Sequence, residues 1–175
     1  MLSMFVDESK VRGYTMAAVA CSQADASRAR RELVALRMKG QTRLHFVRES
    51  DQRRRLILST LARLGVQARL YRVEGLDVHR SRDLCLEGIV ADVAALGVEN
   101  IVLEADTTVI HHDLGTLQQA AFDAGVGAQL RYGHERAAAE PLLWAADAIV
   151  WSYTKGGDWL RRIAPMVRST RLLLP

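Results

Sequence analysis

The sequence has only two cysteines, Cys21 and Cys85, and it has no apolar run long enough to cross a bilayer. Two lone cysteines in apolar surroundings are typical of reduced, buried thiols and supply no disulfide framework. Asp7 and Glu8 interrupt the apolar start, which argues against a signal peptide, and Asp147 breaks the longest later apolar run, residues 141–151. We therefore expect a cytoplasmic protein with no membrane partner.

Motifs that define several large enzyme classes are also missing. There is no G-x-x-x-x-G-K-[ST], no G-x-G-x-x-G after a strand and no G-x-S-x-G, which disfavours P-loop hydrolysis, dinucleotide binding and serine hydrolase chemistry. His111, His112 and Asp113 suggest a metal site at first sight. Neighbours on regular structure diverge, however, and no further His or Cys has zinc-finger spacing. We interpret these three residues as the loop at the start of a helix.

Charge is unevenly distributed along the chain. Its 175 residues are 49% apolar and 25% charged, which predicts one globular domain, residues 1–175, with a net charge of +4. Residues 23–65 hold 11 Lys and Arg against 4 Asp and Glu, and the rest of the chain is mildly acidic. Such a basic segment favours a nucleic acid as the partner of the protein. The alternative is that these charges simply form a helix face that is exposed to solvent. The candidate contacts are Arg28, Arg30, Arg31, Arg53, Arg54 and Arg55.

The apolar pattern predicts an α/β fold with a mixed sheet. Strands are expected at 2–7, 14–21, 66–73, 100–106 and 128–132, with a short extended piece at 43–47. Helices are expected at about 25–38, 50–64, 81–96, 113–124, 137–153 and 158–165. Residues 23–65 thus form a basic helical insertion after a hairpin, followed by alternating helices and strands. We expect strands 2–7 and 101–105 to be adjacent and parallel.

Carboxylates end two of the predicted strands. Asp7 ends the first apolar strand, with Glu8 on the opposite face, and Glu104 and Asp106 end the strand at 100–106, on a shared face if the strand extends that far. Acids at a sheet edge are costly unless they are paired or bind a cation. We expect Asp7 and Glu104 to lie side by side, and which of Glu104 and Asp106 would bind a metal stays open.

Two further acids lie on helices. Asp147 is the only charged residue between Leu142 and Trp151, and Glu87 lies among apolar residues of the helix at 81–96. Both residues are candidates for a cation site. For each, the alternative is an ordinary acid that faces the solvent. Carboxylates that converge from several elements are the ligands of paired divalent ions, and Mg²⁺ and Mn²⁺ favour such oxygen donors.

Short motifs along most of the chain resemble a family of bacterial and phage proteins of unknown function. The motifs are Val6-Asp7-Glu8-Ser9, His45 in an extended piece, Cys85-Leu86-Glu87, Leu103-Glu104 and the helix at 141–147 that ends in Asp147. Trp144 replaces a Gln of the family pattern, and Cys85 replaces a small residue. That family belongs to the ribonuclease H-like, or retroviral integrase-like, superfamily, so the resemblance implies this fold.

The resemblance also implies a site and a function. Asp7, Glu104 or Asp106, and Asp147 would bind Mg²⁺ or Mn²⁺, with Glu87 as a fourth acid and His45 positioning a phosphate or a water. The expected activity is that of a metal-dependent nuclease or a related phosphoryl-transfer enzyme on nucleic acid. The alternatives are a catalytically inactive binding or assembly module and, for His45, a histidine that is merely hydrogen-bonded beside Phe46.

The tryptophans are interpreted as structural. Trp144, Trp151 and Trp159 follow one another at spacings of seven and eight residues. This favours core positions or a contact between the subunits of a homodimer over a platform for base stacking.

Overall fold

A six-stranded mixed sheet forms the centre of the computed structural model, which describes residues 1–174. The strands are β1 (Leu2–Ser9), β2 (Tyr14–Ser22), β3 (Gln67–Val73), β4 (Val98–Glu104), β5 (Arg131–Glu135) and β6 (Val167–Leu172). Their spatial order is β5-β4-β1-β2-β3-β6. β2 runs antiparallel to β1 and β3, whereas β4 is parallel to β1 and β5, and β6 is parallel to β3. The mixed sheet predicted from the sequence is confirmed.

Six α-helices flank this sheet. They are α1 (Gln23–Ala35), α2 (Asp51–Arg63), α3 (Val78–Leu96), α4 (Ile110–Asp123), α5 (Leu142–Lys155) and α6 (Gly157–Ile163), with short 3₁₀ turns at Phe46–Arg48 and Ala164–Met166. One face of the sheet, with Phe5, Ala17 and Leu70, packs against α1, α2 and α5. The other face, with Met4 and Met16, packs against α3 and α4. No helix among residues 1–174 is long and apolar enough to cross a membrane.

Helix starts differ from the sequence prediction where a nearby polar residue caps better. α1 begins before the predicted start at about 25, because the Ser22 side chain accepts a hydrogen bond from the Asp25 N–H and caps the helix. α3 begins before the predicted start at 81, because Asp77 caps it by accepting from the Arg80 N–H. Residues 111–113, interpreted above as a loop, lie in the first turn of α4.

Several strand boundaries differ from the prediction. β4 ends at Glu104 rather than at 106, so Asp106 lies outside the strand. Residues 43–47 form no strand, because Arg43 and His45 lead into the 3₁₀ turn at Phe46–Arg48. β5 begins at Arg131 rather than at 128, since the N–H groups of Gln129 and Leu130 bond back to the Val126 carbonyl in a turn. β6 has no counterpart in the prediction, because it is a polar edge strand whose residues alternate between half-buried and exposed.

Candidate functional site

Three carboxylates from separate elements meet where the parallel strands β1 and β4 end. We call the place formed by Asp7, Glu104 and Asp147 the acidic edge. β1 and β4 are parallel and pair Val6 with Leu103, so Asp7 and Glu104 are neighbours at the ends of these strands. Alternation along β1 places Asp7 on the same face as Phe5, the face that packs against α5. Asp147 lies on α5 and is half-buried. The predicted adjacency of the two strands is confirmed.

The surroundings of Asp7 disfavour its ionised form. Burial raises the pKa of Asp7 well above its usual value, and the negative charges of Asp147 and Glu104 raise it further. The Glu8 backbone N–H donates to Asp7 Oδ1 at 2.8 Å, which acts in the opposite direction but does not outweigh burial. The one hydrogen bond from the Glu8 N–H is therefore not enough to keep Asp7 at its usual pKa.

An irregular segment, residues 43–46, lies across the other two acids. Arg43 forms an ion pair with Glu104. The Phe46 backbone N–H donates to Asp147 Oδ2 at 3.0 Å, and His45 Nδ1 lies 3.6 Å from the same oxygen. His45 Nδ1 is buried and has no hydrogen-bond partner within residues 1–174. The segment thus links β4 to α5 through contacts with the acids.

Asp106 and Glu87 lie in different surroundings. Asp106 is exposed at the rim of the depression that contains Asp7 and Glu104. Its pKa is lowered, chiefly because the Thr108 side chain and backbone N–H donate to its carboxylate. Glu87 is exposed on α3, beyond the opposite face of the sheet, and pairs with Arg80 at 3.6 Å. The structure therefore brings Glu104 to Asp7, leaves Asp106 at the rim and places Glu87 elsewhere.

The donor set at this edge suits a hard divalent cation in chemistry and charge. Carboxylate oxygens are the preferred ligands of Mg²⁺ and Mn²⁺, and the crowding that raises the pKa of Asp7 is the crowding that a cation relieves. Within residues 1–174, however, no group of three or more Asp, Glu, His or Cys side chains is arranged tightly enough to hold a metal ion. The Arg43 guanidinium supplies the positive charge next to Glu104.

The arginines proposed for nucleic-acid contact have mixed surroundings. Arg53 pairs with the buried Glu49 and donates to the Leu36 carbonyl. Arg54 donates to the carbonyls of Phe46 and Val47 and pairs with Asp51 at 2.8 Å. These two side chains support the segment that precedes α2.

Of the remaining four arginines, Arg30 is half-buried and pairs with Glu140 at 2.7 Å, and the other three are exposed. Arg28 pairs with Asp25 across one turn of α1 at 3.3 Å, whereas Arg31 is exposed and has no ion-pair partner within residues 1–174. Arg55 is exposed, with its guanidinium carbon 5.7 Å from the centre of the Trp159 ring. Of the six arginines, Arg31 and Arg55 are therefore the best placed to meet a partner.

A buried charge network below the edge was missed by the sequence analysis. Arg82, which is 3% exposed, makes two hydrogen bonds of 2.6 and 2.7 Å to Asp113, which is fully buried. His134 Nε2 lies 2.7 Å from the same carboxylate. Arg82 also donates to Glu8 at 2.7 Å and to the Tyr14 hydroxyl at 3.0 Å. Glu8 follows Asp7 directly, so this network anchors the end of β1.

One sequence signal could have indicated this network. Arg82 shares the apolar stripe of α3 with Leu86, Ile89 and Val93, at spacings of four, seven and eleven residues. A charged side chain on such a stripe needs a buried partner of opposite charge. Nothing in the pattern identified that partner as Asp113.

The sheet order, the flanking helices and the acidic edge together define a ribonuclease H-like fold. The structure is similar to a chain in the solved structure of the PCNA:RNase HII complex from Archaeoglobus fulgidus, with a TM-score of 0.63 and 17% sequence identity. The similarity covers 93% of this chain and 76% of that chain. No family model matches the sequence, and the comparison with curated proteins finds no similar one. The fold that the resemblance implies is thus confirmed, whereas the comparisons do not support the bacterial and phage family.

Proposed function

We propose that this protein is a divalent-metal-dependent nuclease, or a related phosphoryl-transfer enzyme, that acts on nucleic acid. The observation that carries the proposal is the meeting of Asp7, Glu104 and Asp147, from β1, β4 and α5, at one edge of the sheet. The ribonuclease H-like fold and the basic segment at 23–65 support it at a coarser level.

In this proposal, Asp7, Glu104 and Asp147 bind Mg²⁺ or Mn²⁺. When bound, such ions activate a water and stabilise the leaving oxygen in phosphodiester hydrolysis. Because the pKa of Asp7 is raised, its carboxyl group must release a proton before it can act as a ligand, and cation affinity should therefore rise with pH. Glu104 must also exchange Arg43 for the cation.

The neighbouring residues position the substrate. The His45 side chain is 34% exposed, and its buried Nδ1 lies 3.6 Å from Asp147 Oδ2. Its other ring nitrogen, Nε2, would therefore be the one to orient a phosphate or a water. Arg31 and Arg55 are free to approach phosphates from α1 and α2, and the planar fork of Arg suits two bonds to one phosphate. Arg53 and Arg54 keep residues 46–49 in place and so act indirectly.

Hydrolysis assays with Mg²⁺ or Mn²⁺ on single-stranded and duplex DNA and RNA test this proposal. Asp7→Asn and Asp147→Asn should each reduce the rate by more than about 100-fold, since even partners outside the ligand shell contribute 10–100-fold. Asp123→Asn is the matched control, because Asp123 is an exposed acid on α4 whose partner is Gln119. Equal rates in the parent and both site variants would refute the assignment.

The ion pair between Arg43 and Glu104 favours a second candidate function. In a catalytically inactive binding or assembly module, Arg43 would keep Glu104 neutralised permanently. Such a protein would bind nucleic acid without hydrolysing it under any metal condition, and Arg43→Met would not create activity.

A further inference from the structure

A groove with two indole rings and several cations lies next to the acidic edge. Its walls come from the end of β1, the β1–β2 turn, the 3₁₀ turn and the end of α5, and it reaches α6. The residues that matter here are Ser9, Arg12, Thr154, Lys155, Trp151 and Trp159, and we call it the Trp159 groove.

The Trp159 groove continues directly from the acids. Ser9 lies two residues beyond Asp7 on the same face of β1, and its hydroxyl is 3.4 Å from the Thr154 hydroxyl. Thr154 lies two turns after Asp147 on α5, a rise of about 10 Å. A chain-like ligand bound at the acidic edge would therefore reach this groove after extending roughly 10 Å from Asp147.

The charge of the groove is positive. Arg12 is exposed in the β1–β2 turn and Lys155 is exposed at the end of α5, and neither has an ion-pair partner within residues 1–174. The one acid of the groove, Asp51, is paired with Arg54 at 2.8 Å. This excess of positive charge suits a polyanion.

The two indoles are not equivalent. The Arg54 guanidinium carbon lies 4.4 Å from the centre of the Trp151 ring, so Trp151 is already stacked. Trp159 packs edge-on against Trp151, with ring centres 5.6 Å apart, and both indoles are partly exposed. The guanidinium carbons of Arg55 and Arg54 lie farther from the Trp159 ring centre, at 5.7 and 6.0 Å. Trp144, by contrast, is buried and donates its indole N–H to the Ala137 carbonyl. Trp159 is therefore the indole available to a ligand.

We propose that the Trp159 groove binds an unpaired nucleic-acid strand that extends from the acidic edge, with a base stacked on Trp159 and phosphates held by Arg12 and Lys155. Bases of a duplex are covered by their neighbours, whereas an unpaired base offers its face to an aromatic ring. The inference rests on the proposed function, because it takes the acids as the point where the strand reacts. It assigns Trp159 a ligand contact that its spacing in the sequence did not indicate.

Tryptophan fluorescence in the presence of EDTA tests the inference without any contribution from metal binding. A single-stranded oligo(dT) should quench the fluorescence of the parent, with the buried Trp144 as a constant background. Trp159→Leu keeps apolar bulk but removes the aromatic face, so it should abolish most of the quenching and weaken binding roughly tenfold. Arg12→Ala and Lys155→Ala should each remove one phosphate contact, and so reduce the slope of log affinity against log salt concentration by about one.

Arg131→Ala is the matched control. Arg131 is an exposed arginine at the start of β5, at the opposite end of the sheet, and its removal should leave binding unchanged. Should Trp159→Leu fail to fold, the comparison of Arg12→Ala with Arg131→Ala decides the question.

Four results would each overturn the inference. The first two are equal quenching by inorganic polyphosphate and binding of duplex DNA as tight as that of the single strand. The others are equal affinity of Arg12→Ala and Arg131→Ala, and capture of a protein at the groove with no oligonucleotide binding. Failure of the metal site would instead appear as unchanged Mn²⁺ binding in Asp7→Asn, with the fluorescence result intact.

Discussion

Replacement of Arg82 by Met should be among the most destabilising single changes in this protein. The substitution keeps the apolar stem, but among residues 1–174 it leaves the fully buried Asp113 with His134 as its one side-chain partner, and it removes a donor from Glu8. Removing one member of a buried ion pair typically costs about 3–5 kcal/mol, because the other charge is left uncompensated. For a chain of this size, that loss corresponds to a decrease in Tm of about 6–20 °C.

The pH dependence gives this prediction a second signature. In the parent, burial alone would raise the pKa of Asp113, but hydrogen bonds from Arg82 and His134 outweigh it and lower the pKa. Asp113 therefore stabilises the parent above its unfolded pKa of about 3.9, and this contribution is lost on further acidification. In Arg82→Met, burial dominates, so protonation relieves the buried charge. The difference in the free energy of unfolding between the parent and Arg82→Met should then become smaller as the pH falls toward about 4.

Urea denaturation at several pH values measures both effects. The double variant Arg82→Met/Asp113→Asn should lose clearly less than the sum of the two single variants, because each single change leaves a partner unpaired. A loss below about 1 kcal/mol in Arg82→Met, or additive losses in the double variant, would refute the reasoning.

Two further predictions concern the acidic edge. Asp7 has a raised pKa in the folded state, so its contribution to stability is full below its unfolded pKa of about 4 and declines as the pH rises. Asp7→Asn should remove that decline. Without divalent ions, its free energy of unfolding should exceed that of the parent at pH 7 but not at pH 3.5. Urea denaturation at the two pH values measures the difference. Arg43→Met should change stability by less than about 1 kcal/mol, because the pair with Glu104 is one-third exposed. It should also tighten Mn²⁺ binding in calorimetric titrations, and weaker binding would show that Arg43 does not compete with the cation.

Local patterns were sufficient for the framework of the sheet. Short apolar runs predicted β1 and β4, and acids at their ends predicted that Asp7 and Glu104 would meet. β6 was not predicted because Arg168, Ser169 and Thr170 show no alternation of apolar and polar residues. Only pairing with β3 makes them a strand. Secondary structure that depends on a distant partner is not visible in a local pattern.

The surroundings of the acids depended on the path of a loop. That Arg43 would reach Glu104, and that the Phe46 N–H would reach Asp147, follows from the irregular course of residues 43–46, which no periodicity encodes. The same holds for Arg54, whose bonds to backbone carbonyls require the 3₁₀ turn to be in place. A run of arginines indicates charge, but only the fold decides which of them face a partner.

The most direct test of the metal site is a crystal of the protein soaked with Mn²⁺ and measured for anomalous scattering. We expect a manganese peak in contact with Asp7, Glu104 and Asp147, with the Arg43 side chain moved away from Glu104. A crystal with saturating Mn²⁺ that keeps the pair between Arg43 and Glu104 intact, and has no manganese next to Asp7, would contradict it.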